Sequence, residues 1–283
     1  MTKLDPRVNP FRADLAAVAL KGTVNAERYA EGCPAFVRRG TASLRKRPQA
    51  DAGMETQLLY GECFTVYDEN NGWAWGQARL DNYVGYLEAD ALSQSPLEVT
   101  HRVTQLATPL LPAPDVKLAA LDLLPMNAKL VVGEEENSFT KIQGGYFVYA
   151  AHLAPISQVS EDWVSVAESF LGAPYLWGGK TGAGCDCSGL VQSALEAGGI
   201  STPRDCDMME AVLGDVIRVN DGLDGLRRGD LVFWKGHMGV MLDARRLLHA
   251  NAFHMQVAIE PLREAIERIT QSEGVIRNFR RIN

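Results

Sequence analysis

The chain has 283 residues, 46% of them hydrophobic and 22% charged, with a formal net charge of −7. That length predicts two or three domains with ordinary buried cores. The acidic balance argues against a general nucleic-acid binder and against attraction to an anionic membrane.

Taken in chain order, residues 1–31 read as an N-terminal extension with one short helix around 13–21. The apolar run at 15–20 is too short for a secretory signal and has charges on both sides. No segment reaches the roughly 20 apolar residues of a membrane span. The five cysteines (Cys33, Cys63, Cys185, Cys187 and Cys206) are odd in number and irregular in spacing. That fits a reducing compartment better than a disulfide framework. A soluble, unprocessed, cytoplasmic protein is therefore expected.

From 32 to 97, short apolar or alternating runs are separated by turn residues such as Glu69-Asn70-Asn71-Gly72. Closely spaced short strands of this kind predict a small β-barrel. Residues 98–155 repeat the pattern more weakly, with strands expected around 103–106, 128–132, 139–142 and 145–148 and a proline-containing loop at 108–114. A second small barrel is placed there.

Residues 156–283 form the third region. Trp163, Val164, Ala167, Phe170 and Leu171 lie at helical spacing. A second helix starts near Cys187 and stops at Gly198-Gly199. Strands follow at 230–234, 238–243, 246–249 and 257–259, then a helix at 262–269 and a strand at 275–280. The fold class is α+β.

Gly184-Cys185-Asp186-Cys187-Ser188-Gly189 runs straight into the amphipathic second helix. The unpaired N–H groups and positive end of a helix favour a thiolate at Cys187, and the thiolate is the nucleophilic form. Such a nucleophile needs a base. His237 opens a predicted strand, and a tight hairpin would bring His249, 12 residues on, beside it as an orienting group. Taken singly, the cysteine also reads as a small core residue and the histidines as structural ones. A zinc site from Cys185, Cys187 and the histidines is disfavoured, because one residue between the cysteines is tighter than zinc knuckles use.

Together these residues resemble the NlpC family of papain-like cell-wall peptidases. The resemblance rests on Pro174-Tyr175-Leu176-Trp177-Gly178-Gly179, Asp186-Cys187-Ser188-Gly189-Leu190-Val191 and Pro203-Arg204-Asp205. It continues through Arg228-Gly229-Asp230-Leu231-Val232-Phe233-Trp234, His237-Met238-Gly239-Val240 and Leu248-His249-Ala250. It implies Cys187 as nucleophile, His237 as base, His249 as orienting residue, Tyr175 near the thiolate, and Ser188 and Cys206 on the substrate side. The upstream regions resemble bacterial SH3-like domains, carried by Thr56-Gln57-Leu58-Leu59-Tyr60-Gly61-Glu62 and Asp81-Asn82-Tyr83-Val84-Gly85-Tyr86. That combination resembles γ-D-glutamyl-L-diamino-acid endopeptidases. It implies hydrolysis of the γ-D-glutamyl–meso-diaminopimelate bond in murein tripeptides or tetrapeptides with a free N-terminal L-Ala, in peptide recycling.

A free ammonium needs a carboxylate partner. Asp186 and Asp205 are the candidates in the catalytic region; Glu62 could come from the first barrel, where Tyr83 could wall the same pocket. The family often carries Ser where this chain has Cys206, a weaker hydrogen-bond partner. Neither cofactor nor metal is expected, and no membrane or nucleic-acid partner. The rival readings are a non-catalytic peptidoglycan-binding protein and a thiol amidase or acyltransferase acting on another γ-glutamyl or lipid substrate.

Overall fold

In the computed structural model, which describes residues 4–282, the chain divides into two compact units between Gln158 and Val159. The short helix expected near the N-terminus is replaced by a strand, Leu15–Ala17, paired in parallel with Arg28–Ala30, and a 3-10 turn at Val18–Leu20. All three strand residues are buried. A lone helix would bury only one stripe, so pairing and burial override the local helical tendency.

The alternating runs that follow form one seven-stranded antiparallel sheet. Its strands are β1 (Cys33–Val37), β2 (Thr41–Arg45), β3 (Met54–Leu59), β4 (Cys63–Asn70), β5 (Trp73–Ala78), β6 (Val84–Glu88) and β7 (Leu92–Ser93), in the order β3-β2-β6-β5-β4-β1-β7. Val37, Leu44, Leu58, Phe64 and Leu87 meet in its core. The next stretch builds three smaller antiparallel sheets around Val103, Leu110, Leu124, Leu130 and Val148. One is a hairpin, Ala107–Leu110 with Asp122–Pro125, where the sequence pointed to a loop. Pro109 cannot donate to a ladder, but a two-stranded ribbon tolerates it.

The second unit holds helices α1 (Trp163–Ser169), α2 (Cys187–Ala197), α3 (Cys206–Val212) and α4 (Leu262–Ser272). Its sheet has six antiparallel strands: β8 (Asp215–Ile217), β9 (Asp230–Trp234), β10 (His237–Met241), β11 (Arg246–Asn251), β12 (Gln256–Pro261) and β13 (Asn278–Arg281). The order is β8-β13-β9-β10-β11-β12. Every residue of β9 and β10 is buried, as is nearly all of α2, so the helix lies within this unit's core and not on its surface. The fold is α+β; the sequence reading missed α3, β8 and a short hairpin of Lys180–Thr181 with Gly184–Cys185. Among the described residues no helix is long and apolar enough to cross a membrane.

Candidate active site

α2 begins at Cys187 because Asp186 caps it. Asp186 is extended, and its Oδ1 accepts from the Gly189 N–H at 2.7 Å. Its Oδ2 accepts from the Gly178 N–H at 2.8 Å. Arg204, 1% exposed, grips the same carboxylate in a bidentate pair at 2.9 and 2.7 Å. Ser188 donates to Asp186 and accepts from Arg204. Both Asp186 oxygens are therefore filled. The expectation of Asp186 as a partner for a substrate ammonium is corrected: it anchors the start of α2 and the Gly178-Gly179 loop. Ser188 belongs to the same buried cluster. Gly189 permits the close approach, since a Cβ there would lie 2.0 Å from the Gly179 carbonyl oxygen.

Cys187 is buried at the first position of α2, where backbone N–H groups lack intrahelical partners. Its Sγ lies 3.5 Å from the Sγ of Cys206, the first residue of α3. The neighbouring Cys206 thiol holds Cys187 well below the ordinary thiol range against the opposing effect of burial, and His237 adds to that pull. Cys206 is pushed well above it by the same contact and by burial. Of the two, Cys187 is the thiolate and Cys206 its donor. Cys185, fully buried and unbridged, is pushed up to about 12 by burial, which makes it an inert thiol. Tyr175 is half-buried and its backbone pairs in parallel with that of Cys185. Burial, then the adjacent Cys187, raise its phenol, so it stays a donor.

The histidines lie on neighbouring strands. Val240 pairs with Leu248 across β10 and β11, which puts Gly239 opposite His249 and His237 one diagonal step away on the same face. Gly239 leaves that path open: a Cβ there would sit 3.0 Å from the His249 Cβ. His237 Nε2 and His249 Nδ1 are 2.8 Å apart. Burial would lower His237, but the Cys187 thiolate beside it more than offsets this and raises it. His249, fully buried, is depressed to about 4 by burial, with Glu260 opposing.

Sequence reasoning missed Glu260. Its Oε1 lies 2.6 Å from His249 Nε2, and Arg268 of α4 holds the same oxygen. These contacts outweigh burial and set the Glu260 carboxyl to about 2. Ala258 pairs with His249 across β11 and β12, so Glu260 repeats the diagonal step one strand further. The signal was an acid two residues after a small one, directly following the apolar run Val257-Ala258-Ile259. His249, His254 and Glu260 also bring possible metal-ligand atoms within 4.8 Å of one another, although the first and last are bonded to each other.

Asp205 is half-buried at the N-cap of α3, with no capping bond from its side chain. Glu62 and Tyr83 belong to the first unit. Glu62 is buried there, 3.8 Å from Lys129 Nζ. Tyr83 lies in the core of the seven-stranded sheet and donates to Glu55 at 3.4 Å.

Residues 172–272, which carry Cys187, His237, His249 and Glu260, match the model of the NlpC/P60 family. The chain is 31% identical over 246 residues to the γ-D-glutamyl-L-lysine dipeptidyl-peptidase of Bacillus subtilis (strain 168), covering 76% of this chain and 78% of that one. The chain belongs to the NlpC/P60 family. It is a cysteine peptidase. Residues 44–92, most of the seven-stranded sheet, match the bacterial dipeptidyl-peptidase SH3 domain. The chain is also 25% identical to dipeptidyl-peptidase 6 of Lysinibacillus sphaericus, covering 79% of this chain and 89% of the relative. A solved NlpC/P60 family protein from Bacillus cereus ATCC 10987 superposes with a TM-score of 0.72 at 20% identity, covering 88% of this chain and 99% of that one. That likeness is one of fold.

Proposed function

We propose that this NlpC/P60 peptidase cleaves peptidoglycan stem peptides on the carboxyl side of γ-D-glutamate, at its bond to meso-diaminopimelate, in substrates with a free N-terminal L-Ala. The observation that carries the reading is the placement of Cys187 at the first position of α2, beside His237, which meets His249 at 2.8 Å. The printed activity of the Bacillus subtilis relative, a γ-D-glutamyl-L-lysine dipeptidyl-peptidase, supports the γ-glutamyl linkage.

In this reading Cys187 attacks the γ-carbonyl, and first-turn N–H groups of α2, its own included, stabilise the oxyanion. Tyr175 adds a hydroxyl donor. The imidazolium of His237 protonates the leaving amine, then as a neutral base draws a proton from the water that hydrolyses the thioester. No metal or cofactor takes part. Asp205 is the carboxylate we assign to the substrate ammonium. It adjoins Cys206, whose sulfur touches that of Cys187. We extend the proposal to murein peptide recycling in the cytoplasm, and to a second SH3-like module at 98–155.

The test is a peptide panel read by mass spectrometry. L-Ala-γ-D-Glu-diaminopimelate is expected to release diaminopimelate, its N-acetylated form to resist, and the Cys187→Ala protein to be inert. An active Cys187→Ala protein overturns the nucleophile, whereas equal turnover of blocked and free peptides removes only the ammonium requirement. Preference for lysine over diaminopimelate would reassign the diamino acid.

A further inference from the structure

The buried line behind His237 does not end at His249. It ends on Glu260, and the chemistry of that end dictates where every proton in the line sits. An ionised carboxylate accepts hydrogen bonds and cannot donate. The Glu260 oxygen 2.6 Å from His249 Nε2 therefore puts a proton on that nitrogen. A neutral imidazole carries one N–H, so His249 Nδ1 must accept. Its partner at 2.8 Å, His237 Nε2, must donate. With Nε2 protonated and occupied, neutral His237 keeps its lone pair on Nδ1, the nitrogen left for its hydrogen bond with Cys187. That is the tautomer able to take a thiol proton.

The other arrangement ends badly. If His249 carried its proton on Nδ1, its Nε2 lone pair would face an anionic oxygen, and His237 would present N–H to Cys187 with nothing to accept by. Arg268 keeps Glu260 charged from the far side, and its guanidinium lies 4.3 Å from the Phe253 ring centre. The strand register makes the line possible: His237, His249 and Glu260 share one face, each a diagonal step from the next across β10, β11 and β12.

We propose that Glu260 is a positioning residue for the peptidase reaction: acting through His249, it orders the protons so that His237 meets Cys187 with an unprotonated Nδ1. The proposal rests on the reading of Cys187 as nucleophile and His237 as base. In the step it serves, the Cys187 S–H proton passes to His237 Nδ1, leaving thiolate and imidazolium, and the same proton later leaves with the departing amine.

Two measurements on the 283-residue chain test it. Nitrogen-15 chemical shifts of the histidine side chains in the wild type, near neutral pH, are expected to show His249 as the Nε2–H tautomer. A wild-type His249 protonated on Nδ1 overturns the proposal, whatever any variant does. The second is Glu260→Gln, whose amide can donate as well as accept and so permits both proton orders. Its kcat is expected to fall roughly ten- to a hundredfold with KM little changed, in the range seen when an orienting partner of a functional histidine is lost.

The alkaline limb of its kcat/KM profile is expected to move to lower pH. The groups facing His237 and His249 are Cys187, Glu260, Arg268 and Glu273, and only the charge of Glu260, which favours an imidazolium, has been removed. Glu260→Asp, which keeps the charge on a shorter stem, is expected to recover part of kcat. A Glu260→Gln protein with wild-type kcat and pH profile overturns the proposal. Cys187→Ala separates the failures: if that variant is active the nucleophile assignment falls, and if it is inert beside a fully active Glu260→Gln only the role of Glu260 falls.

Discussion

At the scale of single residues, the centre is a pair of thiols that share one proton unequally. Cys187 sits at a helix start beside His237, whereas Cys206, 3.5 Å away, gains nothing from ionising beside an existing thiolate. The Cys206 S–H is thus a donor that helps hold the Cys187 charge. Cys206→Ala is expected to raise the Cys187 pKa, so that the pH midpoint of its alkylation by iodoacetamide moves upward. An unmoved midpoint would mean that His237 and the helix suffice. Asp186 makes a different point. From sequence it is an acid beside a nucleophile, and nothing in that pattern reveals that Arg204, 18 residues on, consumes both its oxygens. Asp186→Ala leaves a buried guanidinium without its carboxylate and α2 without its cap. The expected loss is about 3–5 kcal/mol in urea unfolding. A loss below about 1 kcal/mol would show the ion pair to be solvated.

At the scale of elements, legibility followed sequence distance. The helix at Cys187 and its stop at Gly198 were readable because cap, stripe and glycine are local. The pairing of His237 with His249 was readable because a tight hairpin fixes two strands at once. Glu260 was not, because it needs the register of a third strand. α3 was missed because its buried positions, Cys206, Met209 and Glu210, include an acid and leave no apolar stripe to read. The hairpin at Ala107–Leu110 was missed because Pro109 and a long connection to Asp122 read as a break. What the register demands can be tested at Gly239. An added Cβ would meet the His249 Cβ at 3.0 Å and Leu247 Cδ1 at 2.8 Å. Gly239→Ala is expected to cost about 1–3 kcal/mol in stability and to lower kcat by displacing His249. Unchanged kcat would show that β10 and β11 can part without disturbing the line.

At the scale of the molecule, the buried histidines couple the catalytic unit's stability to pH in opposite senses. His249 titrates near 6.5 in the unfolded chain and at about 4 when folded. Between those values the unfolded state binds more protons, so stability rises with pH across that window and is lost as pH falls through it. His237 is raised, so its contribution is complete below its unfolded value and is lost as pH rises through the folded one. The Cys187 thiolate causes that rise, so Cys187→Ala removes it and leaves burial, which lowers His237 as it lowers His249. In that background, lowering the pH from about 7.5 to about 5 is expected to cost unfolding free energy through both histidines, with His249 contributing about 2 kcal/mol of it. Glu260 titrates too low to share in it. The same measurement on a Cys187→Ala, His249→Gln protein is expected to lose the His249 share of that slope, even though its absolute stability is lower. If both proteins respond alike, His249 is already protonated near neutral pH when folded. The line would then begin from an imidazolium and not from the neutral ring that Glu260 orients.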